Sequence, residues 1–161
     1  MADRSFLDWP FFEARHREMA LALDAWCTEH LPVDHSDVDG ACRSLVAMLG
    51  RGGWLRQTGA AEGERLDLRG LCLTRETLAR HDGLADFAFA MQGLGMGAVS
   101  LFGTPDQRRW LDRTRSGMAL SGFALTEPAS GSDVASTATT AVRGQGGWVL
   151  TGEKTDRRAH V

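Results

Sequence analysis

The segment FALTEPASGSD, over 123–133, groups residues that could bind a cofactor with a polar ring and a phosphate. Pro128 has no backbone N–H to donate, so it ends the hydrogen-bonded ladder of the strand before it. The small residues that follow let consecutive N–H groups near Gly131 and Ser132 point into one anion-binding concavity. Thr126 offers a hydroxyl and strand backbone to the edge of a flat polar ring. The segment therefore predicts a site for a cofactor that carries a polar heterocycle and a pyrophosphate.

The same residue types also suit an exposed turn. Pro, Ser, Gly and Asp are all turn formers, and a short motif by itself is only a hypothesis. Local chemistry alone favours this second interpretation, so both remain open at this point.

Other polar residues offer less chemistry. No Ser-His-Asp or Cys-His arrangement for nucleophilic catalysis is visible in the sequence. His30 and His35 lie near Asp34 and Asp37, but this is not a standard metal-ligand spacing. A polar helix–loop junction is the simpler interpretation, and we predict no metal site.

The elements that position the segment begin with helices. Apolar residues at helical spacing predict a first helix over 11–30, which Pro32 stops, and a second helix capped by Ser36 or Asp37. A glycine-rich loop over 50–63 follows, in which Trp54 and Leu55 are expected to anchor the chain to the core. A third helix is predicted over 71–80.

The fourth predicted helix, over 84–102, has the longest apolar stripe. The stripe consists of Leu84, Phe87, Met91, Leu94, Ala98 and Leu101. Because much of the opposite face is apolar too, we expect this helix to be central and buried. Thr104, Pro105 and Gln107 then have the spacing of a capping box with proline at the first helical position, which predicts a fifth helix ending near Gly117.

After Gly117 the apolar pattern changes to a period of two. We predict strands over 118–126 and 136–143, a turn over 144–147, and a returning strand from Trp148. Helices followed by antiparallel strands predict an α+β fold that is mainly α. The predicted domains are an N-terminal helical bundle over 1–117 and, over 118–161, the first strands of an antiparallel β domain that is incomplete.

Charge and cysteine content restrict the class of protein. The net charge is −3, which does not favour binding to nucleic acid or to an anionic membrane. No apolar run approaches the roughly 20 residues needed to span a bilayer, and the start MADRSFLDWP lacks the apolar region of a secretory signal. Cys27, Cys42 and Cys72 form no C-x-x-C pair, which is typical of reduced thiols. We predict a cytoplasmic protein with no nucleic-acid or membrane partner.

Several motifs in order resemble one enzyme family. FALTEPASGSD followed by STATTAVRGQGGWVLTGEKT resembles the start of the middle β-barrel domain of the acyl-CoA dehydrogenases. The preceding LFGTPDQRRWLDRTRSG resembles the family's Gly-Thr-x-x-Gln helix. The resemblance covers essentially the whole chain and is strongest over 101–155. It implies a flavoprotein of fatty acid metabolism: an oxidoreductase that dehydrogenates an acyl thioester between its α and β carbons and transfers a hydride to FAD.

The resemblance also implies site residues. Phe123, Ala124, Leu125 and Thr126 match positions whose backbone and hydroxyl contact the flavin of FAD. Gly131 and Ser132 match the segment that reaches the flavin side chain.

Substrate and partners follow from the same resemblance. Ser132 also matches a residue that binds the thioester end of the substrate, which is an acyl-CoA or an acyl-carrier thioester. The fourth helix, with Phe89, Met91 and Gln92, would border the acyl-chain pocket, although core packing is the simpler role for each of them. An electron-transfer partner would reoxidise the flavin.

The sequence departs from the family pattern after GEKT. Asp156, Arg157 and Arg158 replace an aromatic and apolar stretch that packs against the flavin ring. The family's remaining strands and its C-terminal helical domain, which carries the catalytic glutamate, have no match. We therefore assign no catalytic residue and do not assign Glu127 as the base. A truncated or frameshifted reading frame and a split gene are both consistent with this pattern.

Two functions remain open. The first is a flavin-dependent acyl-CoA dehydrogenase represented by its N-terminal half, which is incomplete by itself. The second is a non-catalytic fragment or half-protein that binds a partner chain. The implied assembly is either a homo-oligomer or a complex with a complementing C-terminal half.

Overall fold

The computed structural model describes residues 3–61 and 63–155, in two compact units. The first unit ends at Gly122 and the second begins at Phe123. The first unit contains α1 (Ala14–His30), α2 (Val38–Arg51), α3 (Leu68–His81), α4 (Gly83–Phe102) and α5 (Pro105–Arg115), with short 3-10 helices at Ser5–Asp8 and Trp54–Thr58. The second contains a 3-10 turn at Val134–Ser136 and strands β1 (Thr140–Gly144) and β2 (Gly147–Thr151). The predicted α+β class, mainly α, is confirmed.

Side-chain caps set the starts of four helices. Asp37 accepts a hydrogen bond from Gly40 N and starts α2, and Asp67 caps α3 in the same way. Asp82 caps α4. The capping box of Thr104 starts α5 as predicted. Each cap satisfies backbone N–H groups that the first helical turn leaves without partners.

The core of the helical unit lies between α1, α2, α3 and α4. Its buried members are Leu23, Cys27, Leu45, Val46, Leu49, Leu55, Leu78, Ala85, Ala88 and Phe89. Leu55 is fully buried and Trp54 packs against this cluster, so the predicted anchoring of 50–63 is confirmed. The anchor is a 3-10 helix rather than an irregular loop.

The prediction that α4 is central and buried holds for only one face of the helix. Phe87, Leu94 and Leu101 are 37%, 54% and 61% exposed and face away from the core. The buried face is instead made of Ala85, Ala88, Phe89, Gln92 and Ser100. Small side chains on that face, such as Ala85 and Ala88, let neighbouring helices approach closely, so the face with the longest apolar stripe is not the buried one.

The length of α4 also corrects the expectation about apolar runs. Among the described residues it is the one helix long and apolar enough to cross a membrane by length and composition. Core helices of water-soluble folds satisfy the same criterion, and α4 packs against α2, α3 and α5. The helix is apolar over its whole length because one face packs in the core and the other face carries an exposed apolar stripe.

The second unit is an antiparallel hairpin preceded by an extended segment. β1 and β2 pair in a register that places Thr140 opposite Thr151 and Gly144 opposite Gly147. Gly146 has φ +103°, a conformation that favours glycine and makes the tight turn. The strand predicted over 118–126 does not form, because no described strand pairs with it; only an isolated bridge joins Glu127 and Ser130. The strand predicted over 136–143 forms later, at β1.

Candidate functional site

The extended segment 123–133 turns sharply at Pro128. Glu127 N donates to Ser130 O at 2.8 Å, and Ser130 N donates back to Glu127 O at 3.2 Å. The Ser130 hydroxyl donates to Asp133 O at 2.6 Å. The motif is therefore a closed turn at the end of an extended run, which fits the role predicted for Pro128.

Glu127 is the buried polar centre of this unit. Its residue is only 5% exposed, and its carboxylate accepts hydrogen bonds from Ala138 N at 2.6 Å and Thr139 N at 3.0 Å. The Thr139 hydroxyl also donates to this carboxylate, and so does Lys154 Nζ, at a distance of 2.8 Å. The Lys154 ammonium, together with these hydroxyl and amide donors, lowers the pKa of Glu127 to about 2. A carboxylate held this way stays ionised and fully engaged, which does not suit a proton-abstracting base.

The segment 152–155 returns beside the extended run. Thr155 N donates to Thr126 O at 2.9 Å, and Lys154 Nζ donates to Leu125 O at 3.1 Å. The sequence contains only one lysine, and this lysine fixes the backbone of the predicted cofactor segment. Sequence reasoning missed the Glu127–Lys154 pair. The sequence does contain a signal for this pair: Glu127 lies in FALTEPASGSD, Lys154 lies in GEKT, and the two residues have opposite charges.

The predicted cofactor residues form an open polar edge. Phe123, Ala124, Leu125 and Thr126 are all exposed. Within 3–61 and 63–155, the backbone N–H of Thr126 donates no hydrogen bond. The edge of this extended segment therefore presents a donor and a hydroxyl that have no partner among the described residues, which suits the acceptor atoms of a flat heterocycle.

Gly131 and Ser132 follow the turn and are also exposed. Their N–H groups and the Ser132 hydroxyl donate to no other described residue, so these donors are available to an anion. Gly131 does not adopt a positive φ, so an alternating right- and left-handed nest is not built here. Any anion contact would use turn N–H groups and a hydroxyl instead.

An apolar groove lies in the helical unit. Its volume is about 220 Å³. Its walls come from α3, α4 and the segment before α3, and include Leu66, Leu71, Phe89, Ala90, Leu94 and Leu101. Of the three α4 residues expected to border an acyl-chain pocket, Phe89 lines this groove, whereas Met91 and Gln92 do not. The groove could hold a narrow apolar chain.

Gln92 has a different role from the one expected. It is 1% exposed, and its Nε2 donates to Ala119 O at 2.9 Å and to Thr114 O at 3.3 Å. Its Oε1 accepts from Ser121 N at 2.7 Å. The side chain therefore satisfies backbone groups at the end of α5 and in the segment after it, which has no regular secondary structure of its own.

His35, His81 and Cys27 have structural surroundings. His35 Nε2 lies 3.1 Å from Asp82, and His81 Nε2 lies 2.9 Å from Asp24. In the described part of the chain, no group of three His, Cys, Asp or Glu side chains could hold a metal ion. Burial raises the pKa of the Cys27 thiol to about 12, which makes it unreactive. Asp156, Arg157 and Arg158 lie outside the described residues.

Comparison with known proteins gives consistent relatives, although no protein-family model matches. A probable acyl-CoA dehydrogenase of Bacillus subtilis (strain 168) is 35% identical over 152 residues, which is 89% of this chain and 26% of that protein. The very long-chain specific acyl-CoA dehydrogenase of Mus musculus mitochondria is 45% identical over 69 residues, which is 42% of this chain and 10% of that protein.

Solved structures agree with these relatives. An acyl-CoA dehydrogenase from Bacillus anthracis, complexed with FAD, matches 96% of this chain with a TM-score of 0.74 and 28% identity. A glutaryl-CoA dehydrogenase from Mycobacterium smegmatis matches 88% of this chain with a TM-score of 0.71 and 27% identity. The chain spans 30% and 38% of the lengths of these two structures.

Proposed function

Since the chain belongs by sequence and fold to the acyl-CoA dehydrogenase family, matching its N-terminal region, we propose that it supplies cofactor and substrate contacts to a flavin-dependent acyl-CoA dehydrogenase. The reaction would remove the α-proton of an acyl thioester and leave a double bond between the α and β carbons. When bound, FAD would accept the hydride from the β-carbon, and an electron-transfer partner would reoxidise it. The proposed setting is fatty acid metabolism in the cytoplasm.

The observation that carries the proposal is the open edge at Thr126, held by Glu127 and Lys154. The N–H and hydroxyl of Thr126, which donate to no described residue, fit the acceptor atoms of a flavin ring, and the exposed residues Phe123, Ala124 and Leu125 continue that edge. Backbone held on both sides needs little ordering when a ligand binds, which lowers the entropic cost of binding.

Gly131 and Ser132, which follow the turn after this edge, support a contact with the pyrophosphate of FAD. We assign Gly131 and Ser132 to the flavin side chain because both residues are exposed and their N–H groups and the serine hydroxyl donate to no described residue. Ser132 is also the residue that we assign to the thioester end of the substrate. Free N–H and O–H donors are the groups that bind phosphate oxygens and thioester carbonyls.

The groove in the helical unit supports an acyl substrate. Its lining is predominantly apolar, with Phe89, Leu71 and Leu94 among its walls. Burying an alkyl chain gains about 0.8 kcal/mol for each CH₂ group. An acyl-CoA and an acyl-carrier thioester both present such a chain.

A second candidate function is a non-catalytic half-protein that binds a partner chain. One observation favours it: large apolar side chains are uncovered. In the hairpin, Val142, Trp148, Val149 and Leu150 are all exposed, and α4 presents its own stripe. A two-stranded hairpin needs a covering partner for stability. The covering chain would be a second copy or a complementing C-terminal half that carries the catalytic glutamate.

Flavin binding tests the proposal and separates the two functions. FAD is titrated into the purified chain while visible flavin absorbance and protein fluorescence are recorded. We expect binding that weakens about tenfold in Thr126→Val, because one hydrogen bond to the ligand is lost, and in Ser132→Ala. Thr151→Val is the matched control, since it removes a hydroxyl from the exposed end of β2.

The result of this titration distinguishes the enzyme from the half-protein. FAD binding that depends on Thr126 and Ser132, followed by dehydrogenation of acyl-CoA in the presence of an electron acceptor, supports the enzyme. FAD binding without turnover supports the half-protein. A wild-type chain that binds no flavin at saturating FAD refutes cofactor binding by this chain.

A further inference from the structure

The ammonium group of Lys154 is hydrogen-bonded to a backbone carbonyl of the predicted cofactor segment, that of Leu125. Lys154 Nζ donates to Leu125 O at 3.1 Å and to Glu127 Oε1 at 2.8 Å. The Glu127 side chain is 4% exposed and the Lys154 side chain is 28% exposed, so the ammonium lies at a partly buried site. The lysine therefore bridges a buried carboxylate and a backbone carbonyl rather than lying in solvent.

The other end of the same peptide unit is free. The carbonyl of Leu125 and the N–H of Thr126 belong to one planar, conjugated amide. Thr126 is an exposed residue, and its N–H donates to no residue in the described ranges. An ammonium on the carbonyl oxygen withdraws electron density from the nitrogen, so the N–H becomes a stronger donor.

We propose that Lys154 is a positioning residue that strengthens the Thr126 N–H as a hydrogen-bond donor to an acceptor atom of a flat heteroaromatic ring. This inference rests on the proposed function, in which that ring is the flavin of FAD. The lysine itself does not contact the ring. It acts through the Leu125–Thr126 amide, and it also holds that amide in place.

Glu127 makes this arrangement possible. Its carboxylate is anchored by Ala138 N and by the backbone and hydroxyl of Thr139. These bonds fix the carboxylate, and the carboxylate then fixes the ammonium over Leu125 O. Without this anchor, a flexible lysine would lose rotamer freedom to reach the carbonyl and would favour solvent.

The first test measures the amide directly and needs no flavin. NMR chemical shifts of the Leu125 carbonyl carbon and of the Thr126 amide are compared in wild type, Lys154→Met and Lys154→Arg. We expect upfield shifts at both positions in Lys154→Met and partial rescue in Lys154→Arg, which keeps a charged donor. Arg143→Met is the matched control, because it removes one positive charge from exposed β1. Equal shifts in Lys154→Met and Arg143→Met would overturn the inference.

A second measurement covers the case in which Lys154→Met does not fold. In wild type, a scalar coupling across the hydrogen bond between Lys154 Nζ and the Leu125 carbonyl carbon is expected. Its absence, with the hairpin signals intact, would also overturn the inference.

The last test links the amide to the cofactor. We expect Lys154→Met to bind FAD about fivefold more weakly than wild type, and Arg143→Met to bind it equally well. Unchanged FAD affinity in Lys154→Met would reject the role toward the ring. A wild-type chain without FAD affinity would instead reject the proposed function, while the chemical shifts still decide whether Lys154 polarises the amide.

Discussion

Gln92 Oε1 on α4 accepts a hydrogen bond from Ser121 N at 2.7 Å, across 29 residues of sequence. The same amide donates to the carbonyls of Thr114 and Ala119. One buried side chain thus satisfies three backbone groups, one at the end of α5 and two in the irregular segment that follows it. Because buried backbone groups must be paired, this glutamine fixes the last residues of the helical unit.

Replacing Gln92 with leucine is expected to destabilise the helical unit by about 2–4 kcal/mol, because it leaves buried backbone donors and acceptors unpaired. The measurement is urea unfolding followed by far-ultraviolet circular dichroism. Gln145→Leu is the matched control, since Gln145 is exposed at the hairpin turn. Equal midpoints for the two variants would contradict the role of Gln92.

Gly95 allows the segment after α5 to cross α4 closely. A Cβ atom added at Gly95 would lie 2.7 Å from Ser121 Cβ and 2.8 Å from Gly122 N. Gly95→Ala is therefore expected to cost about 1–3 kcal/mol through overpacking. Gly97→Ala, in the same helix, meets no atom within 4 Å and is expected to stabilise the unit by about 0.5–1 kcal/mol. Thermal unfolding of both variants tests this difference in sign.

Asp82 joins two parts of the helical unit as well as capping α4. Its carboxylate accepts from Leu84 N at 2.8 Å, Val33 N at 3.1 Å and His35 Nε2 at 3.1 Å. Asp82→Ala is expected to cost about 2–4 kcal/mol, because several donors lose one acceptor. Asp37→Ala removes a cap that makes one hydrogen bond and is expected to cost about 1 kcal/mol. Similar unfolding midpoints for the two variants would disagree with this account.

The hairpin unit is expected to lose stability in acid. Lys154, Thr139 and Ala138 lower the pKa of Glu127 from 4.5 to about 2. A carboxylate whose pKa is depressed on folding stabilises the folded state fully above its unfolded pKa, and this contribution is lost as pH falls through the folded pKa. The window is therefore about pH 4.5 down to about pH 2.

Amide shifts of Ala138 and Thr139 monitor this titration directly. We expect them to move with a midpoint near pH 2, and to lose that transition in Glu127→Gln. A midpoint near 4.5, the ordinary value for glutamate, would show that Glu127 is not held as described.

Local signals in the sequence were enough for most of the helical elements. Asp37, Thr104 and Pro105 act within one helical turn, so their residue types alone predict where α2 and α5 begin. The hairpin turn is equally local, because Gly146 supplies the positive φ that the turn requires. The cofactor assignments to Phe123, Ala124, Leu125, Thr126, Gly131 and Ser132 stay predictions from the same motif.

The tertiary structure decided what depends on distant partners. Both faces of α4 are apolar in the sequence, and only packing of small side chains against neighbouring helices selects the face with Ala85 and Ala88 as the core. Glu127 and Lys154 are 27 residues apart, and Gln92 and Ser121 are 29 apart. Such pairs leave no periodic pattern, because burial and chain reversal, rather than residue spacing, bring their polar atoms together.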